Sequence, residues 1–242
     1  MRTDTSGRAG TRLGWSVAAA GTVTAVFALS NAPTPLYVRW QDEWGFSSAT
    51  LTVIFAAYIA GLIITLSVAG RIADRYGRRL VLVPGVLLAV FSSVLFLLAR
   101  DVVWLLVARL LAGISVGAAV TAGMAAVVDL APTRSRHQAS LLSSASMVFG
   151  AGLGPLVSGL LAQLLDRPQG TVFVIMTAAT SAGAILALLL PLMRPRAGSP
   201  APVAVPEPAA GAPPRGGVGH CDVRPRHHRD LLRALPRPLR VA

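Results

Sequence analysis

Six stretches of this chain run for 19 to 28 residues without a charged side chain: Leu13–Val38, Trp44–Gly70, Leu80–Ala99, Leu110–Val128, Gln138–Leu165 and Pro168–Met193. A helix packed in a soluble core keeps a polar face toward water, and these stretches have none long enough to serve as one. A bilayer core about 30 Å thick is crossed by roughly 20 apolar residues, and only hydrogen-bonded helices or closed barrels satisfy the backbone there. The spacing therefore predicts an all-α, polytopic membrane protein with spanning helices over residues 14–36, 48–69, 80–99, 102–128, 139–163 and 172–192. With 54% hydrophobic and 13% charged residues, the composition excludes a disordered chain.

Arg2, Arg8 and Arg12 precede the first apolar run, which reaches Ala32 in a small-residue context similar to a secretory cleavage site. The run continues to Val38 and five more follow it, which favours a retained first helix. All 22 basic residues are arginine, and they are distributed unevenly between the two sides of the predicted bundle. Eighteen fall on one side: Arg2, Arg8 and Arg12, the group Arg71, Arg75, Arg78 and Arg79, then Arg134 and Arg136, and nine from Arg194 onward. Arg39, Arg100 and Arg167 fall on the other, and Arg109 lies inside a span. The positive-inside rule then places both termini in the cytoplasm of a cell membrane. The net charge of +12 reports topology and contact with anionic lipid. Short loops without interleaved stacking aromatics give no nucleic-acid surface.

Cys221 is the single cysteine, so an intrachain disulfide is excluded, and no Cys/His spacing fits a metal site. His220, His227 and His228 lie among Pro, Gly and Arg without a repeated ligand spacing. No metal and no cofactor are expected. Residues 1–12 read as a cytoplasmic tail and 13–193 as the six-helix bundle. Residues 194–242 read as a disordered tail, because ten of the 17 prolines fall between Pro195 and Pro238. From residue 215 the arginine-rich composition is also what a frame-shifted reading would produce.

Between the second and third apolar stretches lies Gly70-Arg71-Ile72-Ala73-Asp74-Arg75-Tyr76-Gly77-Arg78-Arg79-Leu80, with five charges in eleven residues. The charges and the two glycines read as a tight turn in which a carboxylate is held by guanidinium groups and backbone donors. The segment resembles the G-x-L-A-D-R-x-G-R-R/K signature of the major facilitator superfamily of secondary transporters. Gly70, Ala73, Asp74, Arg75, Gly77, Arg78 and Arg79 match it, with Ile72 in place of Leu. Arg109, Gly113 and Gly117 are similar to the R-x-x-x-G pattern of that family's fourth helix. Gly150, Gly154, Pro155 and Gly159 are similar to the G-x-x-x-G-P-x-x-G-G pattern of its proton-linked antiporters, with Ser158 at the first glycine of the closing pair.

The resemblance implies secondary transport of a small solute by alternating access, with proton-linked drug or metabolite efflux as one form. It implies a gating cluster of Asp74, Arg78 and Asp129 that holds the outward-facing state. It also implies a second six-helix bundle, since the family's substrate path runs between two, so the expectation for this chain is a truncated half. Arg109 is either a functional group facing a polar cavity or partner, or an arginine snorkelling to the outer interface. Asn31 is a weak substrate-binding candidate that serves equally for helix packing. The spans hold no acid to carry a proton.

Two other classes are open on sequence. One is a six-helix membrane protein acting by assembly, including a half-transporter homodimer. The other is an intramembrane serine hydrolase, because Gly113-Ile114-Ser115-Val116-Gly117 reads as G-x-S-x-G. Such a serine needs a base, and with no lysine in the chain and no histidine in any predicted span, the chain is expected not to be an enzyme.

Overall fold

The computed structural model describes residues 5–132 and 135–190, with side-chain environments from Leu13 onward. The proposed tail over 194–242 lies outside the described residues. Helix α1 is Thr5–Asn31, followed by a 3-10 turn Thr34–Leu36 and α2 Tyr37–Trp44. Then come α3 Ser48–Tyr76, α4 Arg79–Leu98 and α5 Val102–Ala118. A π-helical turn Ala119–Gly123 joins α5 to α6 Met124–Leu130, and α7 Arg136–Leu164 and α8 Pro168–Leu189 complete the order. Among the described residues there are six spans, Leu13–Trp44, Ser48–Tyr76, Arg79–Leu98, Val102–Leu130, Arg136–Leu164 and Pro168–Leu189, each long and apolar enough to cross a bilayer.

The first span is not the single helix over 14–36 that the apolar run predicts. Pro33 and Pro35 lack an N–H and leave the carbonyls of Leu29 and Asn31 without their helical donors. The helix breaks there and resumes as α2, carrying the span to Trp44 and taking in Arg39, Asp42 and Glu43. Gly45, at φ 64°, closes α2 by donating its N–H to the carbonyl of Gln41. Ser47 caps α3, accepting from the N–H of Thr50, and Asp101 caps α5, accepting from Val103 and Trp104.

The segment between the second and third spans also differs from its expected form. Residues Gly70 to Tyr76 continue α3, so the turn is only Gly77 and Arg78. Gly77 at φ 101° donates to the Ala73 carbonyl and makes the reversal. Gly70 sits within the helix, and a Cβ there would meet nothing within 4 Å. His137, outside the predicted span over 139–163, belongs to the first turn of α7.

Small residues and hydroxyls hold the spans together, as expected where lipid removes most of the hydrophobic drive for helix association. Ser16 Oγ donates to Val127 O at 2.7 Å, tying the first span to the fourth, and Ser92 Oγ donates to Ala108 O at 2.8 Å, tying the third to the fourth. Thr24 Oγ1 donates to Ser146 O at 3.1 Å, between the first span and the fifth. Spans two and five are the most exposed of the six, with large apolar side chains such as Ile63, Ile64, Val148 and Leu156 outward.

Candidate functional site

Arg109 sits eight residues into α5, and its side chain is buried, with only 3% of the residue exposed. This excludes snorkelling to the interface. Its Nε donates to the Tyr37 hydroxyl and its Nη1 to the Ser30 carbonyl. Ser30 lies in the last turn of α1 and Tyr37 is the first residue of α2, so one guanidinium bonds both sides of the break in the first span. The rings of Tyr37, Phe55, Tyr58 and Phe96 surround it, with centroids 5.1, 5.3, 5.6 and 6.0 Å from its Cζ. A desolvated cation is stabilised by ring faces and by charge-assisted bonds to oxygen. The ion pair among the described residues lies elsewhere, so this charge is held by dipoles and π-faces without a carboxylate. Asn31, one residue beyond Ser30, donates to the Phe27 carbonyl and to Ser30 Oγ, which keeps its amide within its own turn.

The glycines following Arg109 bring two backbones together. A Cβ on Gly113 would collide with the backbone of Tyr58, and one on Gly117 would lie 2.6 Å from Thr65 Cβ. Gly150 and Gly154 do the same for the fifth span against the first, at Thr24 and Ala28. Pro155 lies inside α7, and a Cβ on Gly159 would lie 3.8 Å from Pro35 Cγ, an ordinary contact. These glycines seat the fourth span on the second and the fifth on the first up to its break, whereas Ser115 returns its hydroxyl to Ala112 O in its own helix.

At the opposite end of the fourth span, Arg78 Nε lies 3.0 Å from Asp129 Oδ2, with the two side chains 31% and 50% exposed. Arg79 Nη2 donates to Leu188 O at 2.8 Å, near the C-terminus of α8 where a cation meets the negative end of the helix dipole. Arg75 lies over the ring of its neighbour Tyr76, 5.6 Å from its centroid. Asp74 is exposed on the last turn of α3 and forms no hydrogen bond or ion pair among the described residues. The expected three-member cluster is thus a pair, Arg78–Asp129, with Asp74 outside it. Between this pair and Arg109, the fourth span contains the π-turn, which the sequence reading missed. Such turns change helical register and are enriched at functional sites.

A polar junction at the Arg109 end of the bundle was also missed. Gln169 Nε2 donates to the carbonyls of Phe96 and Ala99, closing the C-terminus of α4, while its Oε1 accepts from Trp40 Nε1 at 3.1 Å. Trp40 is stacked near Phe96 and Phe173, whose centroids are 5.0 Å apart. This fixes α2 against the third and sixth spans. The only sequence signal was a Trp and a Gln near span ends, which specifies no pairing.

The sequence model of the Major Facilitator Superfamily matches residues 19–235. Multidrug resistance protein MdtL of Klebsiella pneumoniae is 29% identical over 174 residues, 72% of this chain and 43% of that protein. MdtL of Escherichia coli is 31% identical over 157 residues, 64% and 39% of the two chains. Multidrug resistance protein 1 of Bacillus subtilis is 29% identical over 133 residues, 55% and 34% of the two. The chain thus aligns with about a third to two-fifths of the length of these relatives.

Proposed function

This chain belongs to the major facilitator superfamily, a family of multi-pass membrane transporters and not of enzymes, and on that premise we propose that it moves drug-like small molecules across the membrane by alternating access. The reading of substrate class is supported by relatives named multidrug resistance proteins. The observation that carries the mechanism is Arg109, a sealed cation bonded to both sides of a proline-broken span. A charge inside a span is costly, and interrupted helices are a recurring element of the sites that secondary transporters build. We assign Arg109 the task of holding the break in one geometry while the ends of the bundle change their exposure.

The gate at the other end is Arg78–Asp129, with Asp74 free to engage a second six-helix wall. In the orientation that the arginine distribution supports, this end and both termini face the cytoplasm. The second wall is another six-helix bundle, as the family resemblance implies. A proton acceptor is expected on that wall, because Arg109 forms no ion pair with an acid among the described residues.

The test is ethidium accumulation in an efflux-deficient bacterial strain expressing the full chain. Lower accumulation than in a vector control, restored toward control by Asp74→Asn at equal membrane abundance, supports the reading. Accumulation equal to the control for ethidium, rhodamine and norfloxacin alike overturns drug transport.

A further inference from the structure

A cavity of about 540 Å³ opens at the bundle end opposite the Arg78–Asp129 pair, among α2, the end of α4 and the start of α8. Its polar lining is Arg39, Trp40, Glu43, Asp166, Arg167 and Gln169. None of the four charges is used by the transport reading, and they balance, two guanidinium groups against two carboxylates. We propose that this cavity binds the head group of a zwitterionic phospholipid, with phosphatidylethanolamine preferred.

The floor is rigid, since Trp40 is 2% exposed, is stacked with Phe96 and Phe173 and is hydrogen-bonded to Gln169. One wall is pinned, since Arg39 donates to the Asp166 carbonyl across the mouth. Guanidinium forks suit a phosphate, and a primary ammonium has three N–H donors for carboxylates. A lone anion would leave Glu43 and Asp166 repelling it, and a lone cation would face Arg39 and Arg167. A choline head group fits the charge balance but has no N–H to donate.

The surroundings suit a lipid better than a free metabolite. The cavity lies at the end of the first span, which closes on Trp44, and tryptophan is enriched where spans meet the membrane interface. Apolar side chains lead from its lining down the two flanking helices. Next to lining residue Leu97, Leu98 is 52% exposed, and Phe91 lies two turns along the same face at 54%. On α8, Val174 is 55% exposed, one turn beyond lining residue Gly170. Acyl chains would lie along these exposed apolar side chains.

The experiment is native mass spectrometry of the full chain from dodecyl maltoside, titrated with dioleoyl phosphatidylethanolamine, phosphatidylcholine or phosphatidylglycerol. The expected result is tightest retention of phosphatidylethanolamine. Arg39→Gln with Arg167→Gln should weaken it by at least about tenfold, the scale of losing one charged hydrogen bond. Glu43→Gln with Asp166→Asn should instead reverse the preference toward phosphatidylglycerol, an exchange that general loss of structure would not give. Should a double variant fail to fold, Arg167→Gln and Glu43→Gln singly, both at exposed positions, keep the comparison. Equal retention of all three lipids, or a preference unmoved by both charge classes, overturns the proposal. Soluble O-phosphoethanolamine binding as tightly as the lipid would overturn the lipid as occupant.

Discussion

Replacing Gly150 by alanine tests whether the fifth span is held against the first by backbone proximity. A Cβ at Gly150 would lie 2.5 Å from Thr24 O, 2.9 Å from Phe27 Cβ and 3.0 Å from Thr24 Cα, where ordinary contact begins at 3.4 Å. The difference, 3.4 − 2.5, requires the two helices to separate by 0.9 Å at this point. Thr24 is also the residue whose hydroxyl donates to Ser146 O at 3.1 Å, so the same displacement stretches the neighbouring interhelical bond. Overpacking of this kind costs about 1–3 kcal/mol. Gly152 is the internal control, because a Cβ there meets nothing within 4 Å and the position is also helical. There alanine should be neutral or stabilising by up to about 1 kcal/mol through helix propensity. Thermal unfolding of the purified proteins in one detergent should rank Gly152→Ala at or above the parent and Gly150→Ala several degrees below it. Equal midpoints for the two variants would refute the close-approach argument.

Three further outcomes are expected. A double-mutant cycle on Arg78→Gln and Asp129→Asn should give a coupling of only about 0.2–1 kcal/mol, shrinking in high salt, because the pair is partly exposed; a larger, salt-insensitive value would contradict this. Gln169→Met should destabilise the chain by about 1–3 kcal/mol through the Phe96 and Ala99 carbonyls and the Trp40 N–H that lose their partner, read as a lowered unfolding midpoint. Asp74→Asn should lower substrate flux without reducing membrane insertion, measured by transport at matched abundance; unchanged flux across a substrate panel would remove its gating role.

The positions of the six spans were legible because bilayer thickness converts directly into a length of uncharged chain. Their ends were less so, since a helix such as α3 can run on past the hydrocarbon while carrying Arg71, Asp74 and Arg75. The break after Asn31 had a readable cause in Pro33 and Pro35, yet the apolar run conceals it from a count of charges. Arg109 stood out as a charge in an uncharged setting, but its partners, a carbonyl in α1 and a hydroxyl in α2, are 79 and 72 residues away in the chain. The Arg78–Asp129 pair came from the family resemblance and not from spacing, which could not distinguish Arg78 from Arg71, Arg75 or Arg79. The Trp40–Gln169 junction and the π-turn depend on packing between spans, for which a single sequence carries no period.

Counterflow in proteoliposomes tests alternating access most directly. Vesicles containing the purified full chain are loaded with unlabelled ethidium and diluted into a trace of radiolabelled ethidium, with no pH gradient imposed. A carrier that exposes one site to each side in turn predicts a transient accumulation of label above its equilibrium level, saturable by external ethidium and diminished in Asp74→Asn. Label entering no faster than into protein-free vesicles, without an overshoot, would contradict the assignment of this chain as a working transporter.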